Sequence, residues 1–116
     1  MILATTLTLF FAQSTPLALS GRLKAGDDFI DVTVGHAAPF MKDMNGDGLM
    51  DLLVGEFGDE DFPVSRLPDS MQDSKPGQYS QGKLRVYLNQ GTAAVPKYEA
   101  FAYLQAGGED ASVPTT

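Results

Sequence analysis

Residues 43–55 read DMNGDGLMDLLVG, and their oxygen-bearing side chains fall on alternate positions at Asp43, Asn45 and Asp47, with Asp51 following. Gly46 and Gly48 stand between them, and an unbroken apolar run, Leu52, Leu53 and Val54, comes directly after. The pattern reads as a tight acidic loop feeding a buried strand. Three carboxylates held this close repel one another when bare. A hard cation such as Ca²⁺ takes about six to eight oxygen ligands and suits such a loop. Asp43, Asn45, Asp47 and Asp51, with the Leu49 carbonyl, would wrap one ion, and Gly48 permits the sharp backbone reversal. The competing reading is a Gly-Asp-Gly hairpin turn without metal, because Asn-Gly and Asp-Gly pairs turn a chain unaided. An EF-hand is a poor fit: its closing Glu is replaced by Val54, and the flanks are strand-like rather than helical.

Outward from the loop, short apolar stretches alternate with Gly, Pro, Asn and Asp clusters. FIDVTV, residues 29–34, sets Ile30, Val32 and Val34 against Phe29, Asp31 and Thr33 with period two. APFMKD leads into the acidic loop and DLLVGEF leaves it. KLRVYLN, residues 83–89, groups Leu84, Val86 and Leu88 on one face, and YEAFAYL, residues 98–104, supplies a last strand. No stretch of helical length repeats apolar residues at i, i+3, i+4 and i+7. The expectation is an all-β chain. Between Gly58 and Gln81, Pro63, Pro68 and Pro76 interrupt a polar stretch without periodicity, expected as a long loop. It is either a solvated insertion or a partner-binding lid. Residues 105–116 carry no core-forming pattern and are expected as a tail.

The chain has 116 residues, 43% of them hydrophobic, enough for one modest domain. A formal net charge of −7 argues against nucleic acid and anionic membrane surfaces, which need clustered Lys and Arg. Cysteine is absent, so there is neither a disulfide framework nor a thiol nucleophile. The first 20 residues, MILATTLTLFFAQSTPLALS, resemble a secretory signal peptide: apolar, acid-free, and too short for a membrane span. The first basic residue is Arg22, and an N-terminal strand packed on the domain is the alternative. Export points to a secreted or cell-envelope protein.

APFMKDMNGDGLMDLLVGEFG followed by GKLRVYLNQGTAAVPKYEAFAYL resembles an FG-GAP repeat of the VCBS type, the blade unit of integrin-α-like β-propellers. The resemblance covers residues 38–104 and is most specific from Asp43 to Gly55. It implies that Asp43, Asn45, Asp47 and Asp51 bind Ca²⁺ through their side chains and Leu49 through its carbonyl. One complete unit stands in the chain, whereas closed propellers have typically about four to eight blades. A partial β-propeller is therefore expected: about one blade, a four-stranded antiparallel sheet, with GDDFIDVTVG, residues 26–35, as the worn remnant of a second. The division follows as a signal peptide 1–20, an N-terminal strand 21–37, the repeat 38–104 with its insertion 58–81, and the tail 105–116.

Other chemistry is sparse. His36 is the single histidine, expected at a surface or rim, and no catalytic residues assemble around it. Asp59, Glu60 and Asp61 are expected as a solvated acidic cluster rather than a second cation site. Tyr79, Tyr87, Tyr98 and Tyr103 offer sugar-stacking rings, with core packing as their default role. The expected function is a non-catalytic, secreted calcium-binding module for protein or glycan contact, prone to self-association through open strand edges. The alternative is a non-catalytic fragment or accessory domain of an extracellular enzyme such as a polysaccharide-active hydrolase.

Overall fold

The computed structural model describes residues 20–116. The proposed signal peptide lies almost wholly outside them. The fold is all-β. Among the described residues nine strands form: β1 (Lys24–Ala25), β2 (Asp28–Phe29), β3 (Val34–Lys42), β4 (Asp51–Phe57), β5 (Ser80–Tyr87), β6 (Phe101–Tyr103), β7 (Gln105–Ala106), β8 (Glu109–Asp110) and β9 (Ser112–Thr115). The main sheet runs β3-β4-β5-β6, with β9 also on β5, and every pairing in it is antiparallel. Because β6 pairs with Arg85–Tyr87 and β9 with Ser80–Lys83, two short strands share the fourth position beside one long one. The sheet is thus four positions wide.

β4 is the centre of this sheet, and its continuous apolar sequence reflects burial on both faces. Leu52, Leu53 and Val54 are buried. Leu52 lies opposite Tyr87 and Val54 opposite Arg85, so alternation puts Leu52, Val54 and Tyr87 on one face. There they pack with Tyr98, and Ala25, Ile30 and Val32 of the N-terminal segment close over them. The other face carries Phe40, Leu53, Val86 and Ala102 in one row. Nothing among the described residues covers it fully: Phe40 is 63% exposed. At one end of this face a shallow depression of about 390 Å³ is lined by Ala38, Phe57, Leu84, Leu104 and Val113.

Three segments depart from the sequence expectation. Residues 30–33 do not form a strand, and the ladder starts only at Val34. Side chains from the sheet hold this segment instead. Arg85 donates from one guanidinium nitrogen to the Asp31 carbonyl at 2.7 Å and from another to Thr33 Oγ1 at 2.8 Å. The Thr33 amide donates to Glu56 Oε2 at 2.8 Å. The stretch 58–81 is not a free loop either. It makes two 3₁₀ turns, Val64–Arg66 and Asp69–Met71, buries Phe62 and Leu67, and bridges Asp61 to Ser80. Finally, residues 105–116 form the β7–β8 hairpin and β9 rather than a tail. Gly107 and Gly108, with φ of 65° and 88°, supply the turn that other residues adopt reluctantly.

Glu56 is the polar knot beneath the N-terminal segment. It is 5% exposed, pairs with Arg85 at 2.8 Å, and accepts the Tyr103 hydroxyl at 2.5 Å. Burial pushes its carboxyl up, but Arg85, Tyr103 and the Thr33 amide together hold it below its ordinary value of 4.5. A lowered folded pKa contributes stability that is full above the unfolded value and lost as pH falls through the folded one. Unfolding free energy from urea titrations should therefore hold from neutral pH to about pH 5 and decline below it. In Glu56→Gln the neutral stability should be lower and the acid decline shallower. An acid decline as steep in the variant as in the parent would rule out this knot as its source.

Candidate functional site

The acidic loop joins β3 to β4 and is built largely from its own amides. Asp43 accepts the Gly46 amide at 2.7 Å on one oxygen and the Gly48 amide at 2.8 Å on the other. These bonds, that from Gly48 foremost, hold its carboxyl below the usual range against a smaller desolvation effect. Asn45 Oδ1 accepts the Asp47 amide at 3.1 Å, and the Asn45 side-chain amide donates to Asp47 Oδ2 at 3.1 Å. Asp47 Oδ1 accepts the Leu49 amide at 2.8 Å. Gly46 and Gly48 have φ of 77° and 86°, the left-handed backbone that lets successive amides turn inward.

Asp51 is different in kind. Its side chain is fully buried, at 0% exposure. One oxygen accepts the Met44 amide and the other the Asn89 amide, each at 2.8 Å. It thus ties the start of the acidic loop to the end of β5, across β4. Asn89, 3% exposed, extends the tie. Its Oδ1 accepts the Gly91 and Lys97 amides at 2.9 and 3.1 Å, and its side-chain amide donates to the Thr92 carbonyl at 3.3 Å. Gly91 is required here, since an added Cβ would collide with the Val95 carbonyl and the Lys97 amide. Asn89 was not a candidate from sequence. Its signal was the Asn-x-Gly-Thr spacing after a strand, which is the pattern of a side chain that organises a turn.

Of the five proposed ligands, the structure brings Asn45 against Asp47 and wraps Asp43 around the Gly46 and Gly48 amides, with Asp51 beneath at Met44. Among the described residues, no three Asp, Glu, His or Cys side chains converge at metal-holding distance. The donor set nonetheless fits a hard cation on chemical grounds. It is all oxygen, and a carboxylate has about four lone-pair sites, so an amide on each oxygen leaves one free there. Among the described residues no basic side chain pairs with Asp43, Asp47 or Asp51.

His36, at φ 63°, stacks on Phe57 with ring centroids 4.8 Å apart and borders the open apolar face. Glu60 pairs with Lys83 at 3.6 Å, and Asp59 and Asp61 are exposed. Tyr87 and Tyr98 are core residues, Tyr103 serves Glu56, and Tyr79 is half-buried beside Phe62, whose amide donates to the Tyr79 carbonyl. A separate cleft of about 400 Å³ lies between the N-terminal segment and the sheet, lined by Asp28, Phe29, Asp31, Arg85 and Glu99 among others. Among the described residues no helix is long and apolar enough to cross a membrane. No protein-family model, curated protein or solved structure matches the chain.

Removing the Asp51 carboxylate strands two backbone donors, and each buried donor left unsatisfied costs about 1–3 kcal/mol. Asp51→Ala in metal-free buffer should therefore lose about 2–5 kcal/mol by denaturant unfolding. Asp43→Ala, whose amides can turn to water, should lose distinctly less. Equal losses would contradict the special place given to Asp51.

Proposed function

We infer that this chain is a calcium-binding module of the FG-GAP/VCBS type, secreted or held in the cell envelope, with a non-catalytic role in protein or glycan contact. The observation that carries the reading is Asp51: a fully buried carboxylate without a basic partner among the described residues, at the base of a loop whose other donors are all oxygens. In this reading Asp43, Asn45, Asp47, Asp51 and the Leu49 carbonyl hold the ion. When bound, Ca²⁺ supplies positive charge that offsets the mutual repulsion of the carboxylates. The chain's own part is positional: Asp51 fixes the loop against the strand pair, and the Gly46 and Gly48 amides hold the Asp43 carboxylate.

The role is read as structural because the donors come from one tight hairpin whose own amides already hold Asp43 and Asp47. Contact with a partner falls to other surfaces. The cleft lined by Asp28, Asp31, Glu99 and Arg85 beside Phe29 mixes acidic, basic and aromatic groups, a composition that suits the hydroxyls and ring faces of a sugar. That same cleft favours the second reading, an accessory domain of a polysaccharide-active extracellular enzyme. Export rests on the apolar first 20 residues.

Calorimetric titration of the chain with CaCl₂ should show one strong site, and the melting temperature should rise with free Ca²⁺ by mass action. Asp47→Ala should abolish both effects while leaving the metal-free melting temperature nearly unchanged. A parent chain that gives no binding heat, or a variant that titrates like the parent, would remove calcium from the account. Assays against glycans, esters and peptides with Ca²⁺ present should give no turnover.

A further inference from the structure

The two small hairpins of this chain are one element repeated. In β1–β2, Lys24 pairs with Phe29 and Ala25 with Asp28; in β7–β8, Gln105 pairs with Asp110 and Ala106 with Glu109. Each residue of the second lies 81 positions after its counterpart (105 − 24, 106 − 25, 109 − 28, 110 − 29). The closing hydrogen bonds keep the same offset: the Ile30 amide to the Leu23 carbonyl at 2.9 Å, the Ala111 amide to the Leu104 carbonyl at 2.7 Å. So does the first turn glycine, Gly26 at φ 60° and Gly107 at φ 65°. The second turn position differs, Asp27 against Gly108. Leu, Ala and Gly recur at matching places in LKAGDDFI and LQAGGEDA.

The two copies sit in complementary halves of one environment. After the first hairpin, Ala25, Ile30 and Val32 pack on the core face of the sheet. Of their counterparts Ala106, Ala111 and Val113, Ala106 and Val113 are exposed, Val113 at 62%, and Ala111 is half-buried at the end of the opposite face. Conversely, Leu104 packs at the edge of the sheet, where its amide donates to the Leu84 carbonyl at 2.9 Å, while its counterpart Leu23 is 59% exposed. What Leu23 lacks is the β5 edge of another unit. Charge agrees with this. Arg66 donates to Ser112 Oγ at 2.9 Å and to its carbonyl at 3.2 Å, and the residue 81 positions before Ser112 is Asp31, an exposed carboxylate that pairs with the exposed Arg22 at 3.2 Å.

We propose that a second copy of this chain docks head-to-tail, its Leu23–Val34 segment lying along Ser80–Leu84 in place of that chain's own Leu104–Thr115. Leu23 then fills the site of Leu104 beside Leu84, and Asp31 meets Arg66 as an ion pair where Ser112 made a neutral contact. The N-terminal segment is the one that bridges, because only it can keep its own sheet. Thr33 holds Glu56 and Arg85 through its amide and hydroxyl, whereas its counterpart Pro114 has neither group. The exchange trades the Lys83–Asp110 ion pair and the Thr115–Ser80 hydrogen bond of the chain's own segment for the Asp31–Arg66 ion pair and the Leu23–Leu84 contact. The interface joins two different surfaces, so it propagates into rings or chains rather than closing at two copies. It does not depend on whether the acidic loop binds calcium.

Sedimentation of the full chain tests this with two single variants, Leu23→Asp on the bridging side and Arg66→Asp on the receiving side. Both positions are exposed. The parent should form dimers and larger species as concentration rises, and each variant alone should associate about tenfold or more weakly. An equimolar mixture should recover dimers and nothing larger, because one intact junction remains between unlike copies. A parent that stays monomeric, variants that associate like the parent, or a mixture no heavier than its components would each overturn the proposal. Should either variant lose its β circular-dichroism spectrum, Lys83→Cys with Ser112→Cys replaces it. Those positions are ladder partners, so oxidation should pin β9 to β5 and leave monomers, with association returning on reduction. Association unchanged by oxidation would likewise overturn it.

Discussion

A buried carboxylate that no basic side chain among the described residues neutralises, Asp51, is the constraint on which this small sheet depends. A charge in that position is expensive unless it is hydrogen-bonded. The chain meets the requirement with two backbone amides that are 45 positions apart, Met44 and Asn89. Because those amides belong to different connections, satisfying Asp51 fixes the acidic loop and the loop after β5 in one step. Asn89 then passes the order on to Gly91, Thr92 and Lys97. Burial, and after it the negative charge of Asp51, raises the Tyr98 phenol above its ordinary value.

The rest of the fold reflects how little apolar surface a chain of this size commands. One face of the sheet is covered by a segment too irregular to be a strand, held by the Arg85–Glu56–Tyr103 knot rather than by a ladder. Arg85 also lies over the Phe101 ring at 4.3 Å, so the guanidinium is partnered on its face, while its buried Nε has no hydrogen-bond partner among the described residues. Among the described residues nothing fully covers the opposite face, where Phe40 and Val113 are exposed. β3 is an exposed edge, interrupted by a register shift between Val34 and Ala38 and by Pro39, two features that blunt unwanted pairing.

Much of this was legible in the sequence. The run Leu52–Val54 located β4, since burial leaves a direct mark on residue choice, and the alternation through Leu84 and Val86 located β5, although its buried side chains, Arg85 and Tyr87, lie on the opposite face. The loop carboxylates announced themselves by spacing. What failed to show was order created by side chains at long range. The alternation of Ile30, Val32 and Val34 suggested a strand, but Asp31 and Thr33 bind Arg85 and Glu56 more than 20 residues away. Phe62 and Leu67 are two isolated apolar residues in a polar stretch, too few to give a period, yet both are buried. The second hairpin was hidden because Ile30 and Phe29 are replaced by Ala111 and Asp110, which removes the apolar signal and keeps only the turn. Asn89 was missed because a lone Asn after a strand is ordinarily a turn residue, and its importance comes from Asp51.

Native-state hydrogen exchange of the Met44 and Asn89 amides tests the dependence on Asp51 most directly. If the carboxylate ties both connections to the core, these two amides open only when β4 and β5 do, and their protection matches that of the Leu53 and Val86 amides. Protection near that of freely fraying loop amides, with the strands still fully protected, would contradict the account.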